Sequence, residues 1–165
     1  MTIGPLETIA PLCPENVRLL GMDVGARTIG LAVTDSGLLL ATPLETLRRT
    51  KFTQDLPVLK KAIDDYEIGG YVLGWPVNMD GSEGPACDRV RAFADEMTKH
   101  PAIFGADPWI ALWDERLSTA SVENFVDEFV EKRQTRRRAK DSGLIDKLAA
   151  QMILQGAAAY LKERF

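Results

Sequence analysis

Apolar residues run almost unbroken from Val17 to Val24 and again from Thr28 to Thr34, with only Gly25 to Arg27 between them. Continuous apolar runs of this length read as strands, and a connection this short makes the pair antiparallel. Asp35-Ser36-Gly37 is a second turn signal, so "LLLATPLETL" (Leu38 to Leu47) predicts a third strand. The period then changes. Leu56, Leu59, Ile63 and Tyr66 recur at helical spacing and predict a helix over Gln54 to Tyr66. "GGYVLGW" (Gly69 to Trp75) is a short apolar strand, and Pro76 to Pro85 is a loop punctuated by two glycines and two prolines. A helix over Cys87 to Lys99 carries Val90, Phe93 and Met97 on one face, and Pro108 to Glu115 is a strand that ends in acids. Ser118 suits an N-cap, and Val122, Phe125, Val126, Phe129 and Val130 form an amphipathic stripe behind it. Asp141-Ser142-Gly143 breaks the pattern before a last helix, Leu144 to Arg164, with Ile145, Leu148, Met152 and Tyr160 apolar.

The order β-β-β-α-β-α-β-α-α predicts an α/β fold. Three antiparallel strands come first. The later strand–helix–strand unit is a right-handed parallel crossover, which gives a mixed five-stranded sheet flanked by helices. Pro5, Pro11 and Pro14 mark residues 1–16 as a flexible leader, with one domain over residues 17–165.

Composition narrows the chemistry. The chain has 165 residues, 45% of them hydrophobic, and no apolar run approaches the roughly 18 residues of a membrane span. The N-terminus lacks the basic start and apolar stretch of a secretory signal, so the cytoplasm is expected. Cys13 and Cys87 are far apart and match neither a disulfide framework nor a zinc site. The single histidine, His100, excludes a histidine-rich metal centre and reads as a solvated helix end.

Carboxylates set against apolar neighbours are more informative. Asp23 ends the first strand, Asp114 and Glu115 end the last, and Asp146 lies in the first turns of the final helix. Sites in such sheets collect at the carboxyl ends of strands. Carboxylates gathered there repel one another and are costly to desolvate. A divalent cation removes that penalty, and oxygen-only ligands select Mg²⁺ or Mn²⁺. Each acid also has a plainer reading. Asp23 could cap the turn to Arg27, Asp114 and Glu115 could pair with Arg116, and Asp146 could complement a helix N-terminus. Spacing alone leaves these open.

Four blocks together resemble a known family: "MDVGARTIGLAV" (Met22 to Val33), "VLGWPVNMDGSEGP" (Val72 to Pro85), "WDERLST" (Trp113 to Thr119) and "DKLAAQMILQGAAAYL" (Asp146 to Leu161). They look like the YqgF family, the RuvX-like group described as pre-16S rRNA nucleases or Holliday junction resolvase-like proteins. The resemblance implies an RNase H-like fold and a metal-dependent nuclease. It carries the catalytic and metal-binding roles onto Asp23, Glu115 and Asp146, with Asp114 as their neighbour. The family usually has a leucine where Trp75 stands. The block containing Asn78, Asp80 and Gly81 borders the family's cleft; by itself it also reads as a surface loop capping the next helix.

"KRQTRRRAK" (Lys132 to Lys140) packs six basic residues into nine positions. Such a run can be a solvated linker. Beside an acidic metal site, Arg133, Arg136, Arg137 and Arg138 would instead hold phosphates, because the guanidinium fork binds phosphate oxygens bidentately. Arg116 and Arg27 are weaker candidates. Trp75 and Trp113 read first as core residues, with base stacking as the alternative. The expected partner is nucleic acid, either pre-ribosomal RNA or branched DNA, with the chain a monomer or homodimer. Non-catalytic nucleic-acid or transcription-complex binding is the competing class.

Overall fold

The computed structural model describes residues 2–117 and 144–164. The Ser118 cap, the Val122 to Val130 stripe, the basic run with Arg133, Arg136, Arg137 and Arg138, and the Asp141 to Gly143 break lie outside the described residues. Six strands form one sheet: β1 (Thr2–Pro5), β2 (Arg18–Val24), β3 (Thr28–Thr34), β4 (Ala41–Arg48), β5 (Ile68–Trp75) and β6 (Trp109–Asp114). The helices are α1 (Leu6–Ile9), α2 (Phe52–Tyr66), α3 (Pro85–Thr98), α4 (Pro101–Phe104) and α5 (Leu144–Arg164). The strand order is β1-β6-β5-β2-β3-β4. β2, β3 and β4 pair antiparallel, whereas β5 joins β2 and β6 joins β5 in parallel.

The expected mixed sheet is present, with one strand more than five. The addition comes from the segment expected to be a flexible leader. Residues 2–5 pair in parallel with β6, from Thr2 opposite Trp109 to Pro5 opposite Leu112. α1 then buries Leu6 and Ile9, and the Trp109 indole N–H donates to the Ile9 carbonyl at 2.9 Å. A four-residue edge strand has no period to read, and its end tolerates a proline that needs no ladder donor. The segment becomes a strand only because β6 offers it an open edge.

The third strand also starts later than its apolar run. The Asp35 carboxylate accepts the backbone N–H groups of Gly37, Leu39 and Leu40 at 3.0, 2.9 and 2.8 Å, and Leu38 adopts a positive φ of 58°. Three main-chain donors held by one side chain keep residues 37–40 in a turn.

Alternation along the strands divides the core. Leu20, Met22 and Val24 face α2 and α3, packing with Leu59, Ile63, Val90, Phe93 and Met97. Leu19, Ala32, Val72 and Ala111 face the other way, toward Leu6 and Ile9 of α1 and Ala150, Ile153, Leu154, Ala157 and Leu161 of α5. Asp23 shares the parity of Leu19 and lies on the α5 face. The side chains of Gln151 and Gln155 fix α5 to the start of β4. Gln155 accepts from the Ala41 N–H at 2.8 Å, and Gln151 donates to the Ala41 carbonyl at 3.0 Å. His100 lies between α3 and α4, with its ring 5.5 Å from that of Phe52.

Candidate active site

Asp23 stands near the carboxyl end of β2, one residue beyond the registered pair Met22–Leu73. Its neighbours in the two flanking strands are glycines. Gly30 is its registered partner on β3, and Gly74 follows Leu73 on β5. A side chain on Gly30 would overlap the backbone carbonyl of Asp146, and one on Gly74 would overlap the carboxylate of Glu115. The missing side chains therefore make room on both sides of Asp23. One space admits the first turn of α5, and the other admits the acid that follows β6.

These spaces bring the three acids to one end of the sheet. The Glu115 carboxyl is hydrogen-bonded to the Asp23 carboxylate. Burial, followed by the charges of Asp23 and Asp114, pushes Glu115 up to about 8, so it carries the shared proton at neutral pH. Asp23 is also raised, first by burial, with Asp146 adding its charge. The Thr28 hydroxyl donates to Asp146 Oδ2 at 3.0 Å. Among the described residues, no three side chains of His, Cys, Asp or Glu are drawn together as a ready-made metal site. Proton sharing and the Thr28 bond account for that: two acids face each other and the third turns to a hydroxyl. The donor set is nonetheless all oxygen and largely desolvated, and it contains one proton that a cation could replace. These residues fit a hard divalent ion such as Mg²⁺.

Asp114 is committed elsewhere. It accepts the Arg116 backbone N–H at 2.9 Å and the guanidinium Nη2 at 2.7 Å, and this pairing holds its carboxyl below the usual range. That is the plainer of its two expected readings, and Arg116 is engaged in the same pairing. The loop residues form a local network. Ser82 donates to Asp80 from both its N–H (2.9 Å) and its hydroxyl (2.6 Å), and the Gly81 N–H bonds the Asn78 carbonyl at 2.8 Å. Gly81, at a φ of 87°, passes near the Arg116 guanidinium. The loop therefore borders the β6 end. Trp113 is buried against Tyr160, and Trp75 is half-buried on the α3 face.

Three supporting residues escaped the sequence reading: Thr28, Gly74 and Arg49. Arg49 Nη1 donates to the Gly25 carbonyl at 2.7 Å and braces the turn after Asp23. Glycine flanked by apolar residues was the only visible signal for Gly74.

A family model described as "RuvX: Holliday junction resolvase" matches residues 17–161. The chain belongs to the RuvX family. Among curated RuvX-like relatives, a protein of Rhodospirillum centenum is 47% identical over 163 residues, covering 99% of this chain and 84% of its own length; it is named "Putative pre-16S rRNA nuclease". A relative of Paramagnetospirillum magneticum with the same name is 47% identical over 154 residues, covering 93% and 92%. In structure, Thermus thermophilus RuvC, solved in complex with a Holliday junction substrate, superposes at a TM-score of 0.51 and 15% identity. It covers 87% of this chain and 94% of RuvC, which shows a shared RuvC-like, RNase H-type fold.

Proposed function

We propose that this RuvX-family chain is a divalent-metal-dependent nuclease that hydrolyses RNA phosphodiesters in 5′ end maturation of pre-16S ribosomal RNA in the cytoplasm. The observation that carries the reading is the Asp23–Glu115 carboxyl pair, buried at the strand ends with Asp146 beside it. A buried acid pair lowers stability unless something charged uses it. The names of the relatives support the substrate. Among the described residues, no helix is long and apolar enough to cross a membrane.

Asp23, Glu115 and Asp146 would hold Mg²⁺ or Mn²⁺, which when bound supplies Lewis-acid polarisation of the phosphate and a water of lowered pKa. The chain's own part is positional. Asp23 is fixed on a strand bonded on both sides. Burial holds the Glu115 carboxyl up to about 8, and this carboxyl would release its proton to serve as a ligand. Thr28 orients Asp146. In the hydrolysis, the water oxygen would bond phosphorus as the bond to the 3′ oxygen breaks, with the water's proton passing to solvent and the departing 3′ oxygen taking one up.

The test is cleavage of a precursor 16S RNA end in Mg²⁺, with a four-way DNA junction assayed in parallel. Wild type should cut the RNA, and Asp23→Asn should be slower by at least about 100-fold, the scale of losing one charge-stabilising group at a reacting centre. Equal rates for the two chains would remove Asp23 from the reaction. Cleavage confined to the junction would move the substrate to branched DNA.

A further inference from the structure

The carboxyl edge of the sheet carries a second construction, on the face opposite Asp23. Trp75 is the last residue of β5 and registers against Asp114, the neighbour of Glu115. The Arg91 guanidinium, from α3, lies over its indole, 5.1 Å from the ring centre. Both prongs of that guanidinium are occupied. Nη2 is 2.8 Å from Glu83, and Nη1 is 3.0 Å from Asp88. An arginine near a nuclease site ordinarily clamps phosphate through this fork. Here two carboxylates engage the fork and outweigh its single positive charge, so what Arg91 still offers is a planar face.

That face borders a cavity of about 370 Å³ lined by Trp75, Arg91, Glu83, Asp95, Leu112 and Asp114 among others. The lining excess of carboxylates repels phosphate. The rest of the lining includes the apolar Leu112 and the Trp75 indole. An occupant that suits both is flat and uncharged, and it gains by stacking on a guanidinium or aromatic plane, which is how unpaired bases of RNA are held.

We propose that Trp75 and Arg91 form a stacking platform for one unpaired nucleobase of the RNA strand, whose phosphates stay outside the acidic cavity. The proposal rests on the nuclease reading above and adds a subsite to it. Strand β5 links the two: Gly74 makes room for Glu115 on one face, and the next residue, Trp75, supports the base on the other.

The test uses the full chain carrying Asp23→Asn, so that RNA is bound without being consumed, and a single-stranded RNA spanning the cleavage point with one abasic site moved along it. One abasic position should weaken binding by roughly 10-fold, the scale of one stacked base. The same position should have no effect in chains that also carry Arg91→Lys or Trp75→Leu, which should already be weakened about as much. Trp75→Phe, which keeps a packed ring, should restore most of the affinity. Arg91→Lys binding as tightly as the parent overturns the proposal, because charge without a plane would then suffice. An abasic scan with no position sensitive to either variant overturns it too. If the parent fails to bind RNA at all, the nuclease reading itself falls.

Discussion

Glu115 carries a proton at neutral pH because burial and Asp23 make its charge expensive. The consequence for stability has a definite sign. Between the ordinary glutamate range and about 8, the folded chain holds a proton that the unfolded chain has lost. Stability without metal therefore falls as pH rises through that window. The raised carboxyl of Asp23 acts in the same direction. In EDTA, Tm should be higher at pH 5.5 than at pH 8 by several degrees, and Glu115→Gln should flatten that slope. Adding Mg²⁺ at pH 8 should raise Tm of the parent and leave Glu115→Gln nearly unmoved. Gly30 is the complementary case, since its importance lies in an absent side chain. Gly30→Ala would force α5 away from β3 at Asp146. Overpacking of this kind costs about 1–3 kcal/mol. Urea unfolding should show that loss, and cleavage should fall more steeply than stability does.

At the scale of elements, β1 and α1 cover β6 and move the sheet edge to a four-residue strand that ends in a proline. Without β1, the longer β6 would present a row of free backbone groups, which invites association with other chains. α1 adds burial: Leu6 is fully buried among Ile9, Trp109 and Ala111. Leu6→Ala should cost about 2–5 kcal/mol of unfolding free energy, measured by urea titration, because a core leucine leaves both lost transfer energy and a cavity.

At the scale of the molecule, acidic and basic groups lie in different segments of the chain. The acids line the end of the sheet, while Arg133, Arg136, Arg137 and Arg138 lie outside the described residues. Their density in sequence is enough for one prediction. Replacing Arg136, Arg137 and Arg138 with alanine should weaken RNA binding uniformly across sequences. It should also reduce the salt slope by about 2, near 0.7 per lost contact to a single strand. A logarithmic plot of affinity against salt from 50 to 200 mM checks it.

The strands β2, β3 and β5 and the helices α2, α3 and α5 were legible in sequence, as were the positions of Asp23, Glu115 and Asp146 at strand and helix ends. Each depends on a local period, a turn signal or a motif, and these act within a few residues. The turn at Asp35 and the strand at Thr2–Pro5 were not legible. One is set by a side chain reaching back to three main-chain donors, the other by an edge more than a hundred residues away. The sequence by itself determined the strands and helices with a local period or turn signal, and which residues carry charge. Only the tertiary structure decided that Glu115 meets Asp23, that Asp146 turns to Thr28 and that Arg91 lies on Trp75. Those contacts join strands and helices distant along the chain, and sheet order, glycine-sized gaps and burial decide them.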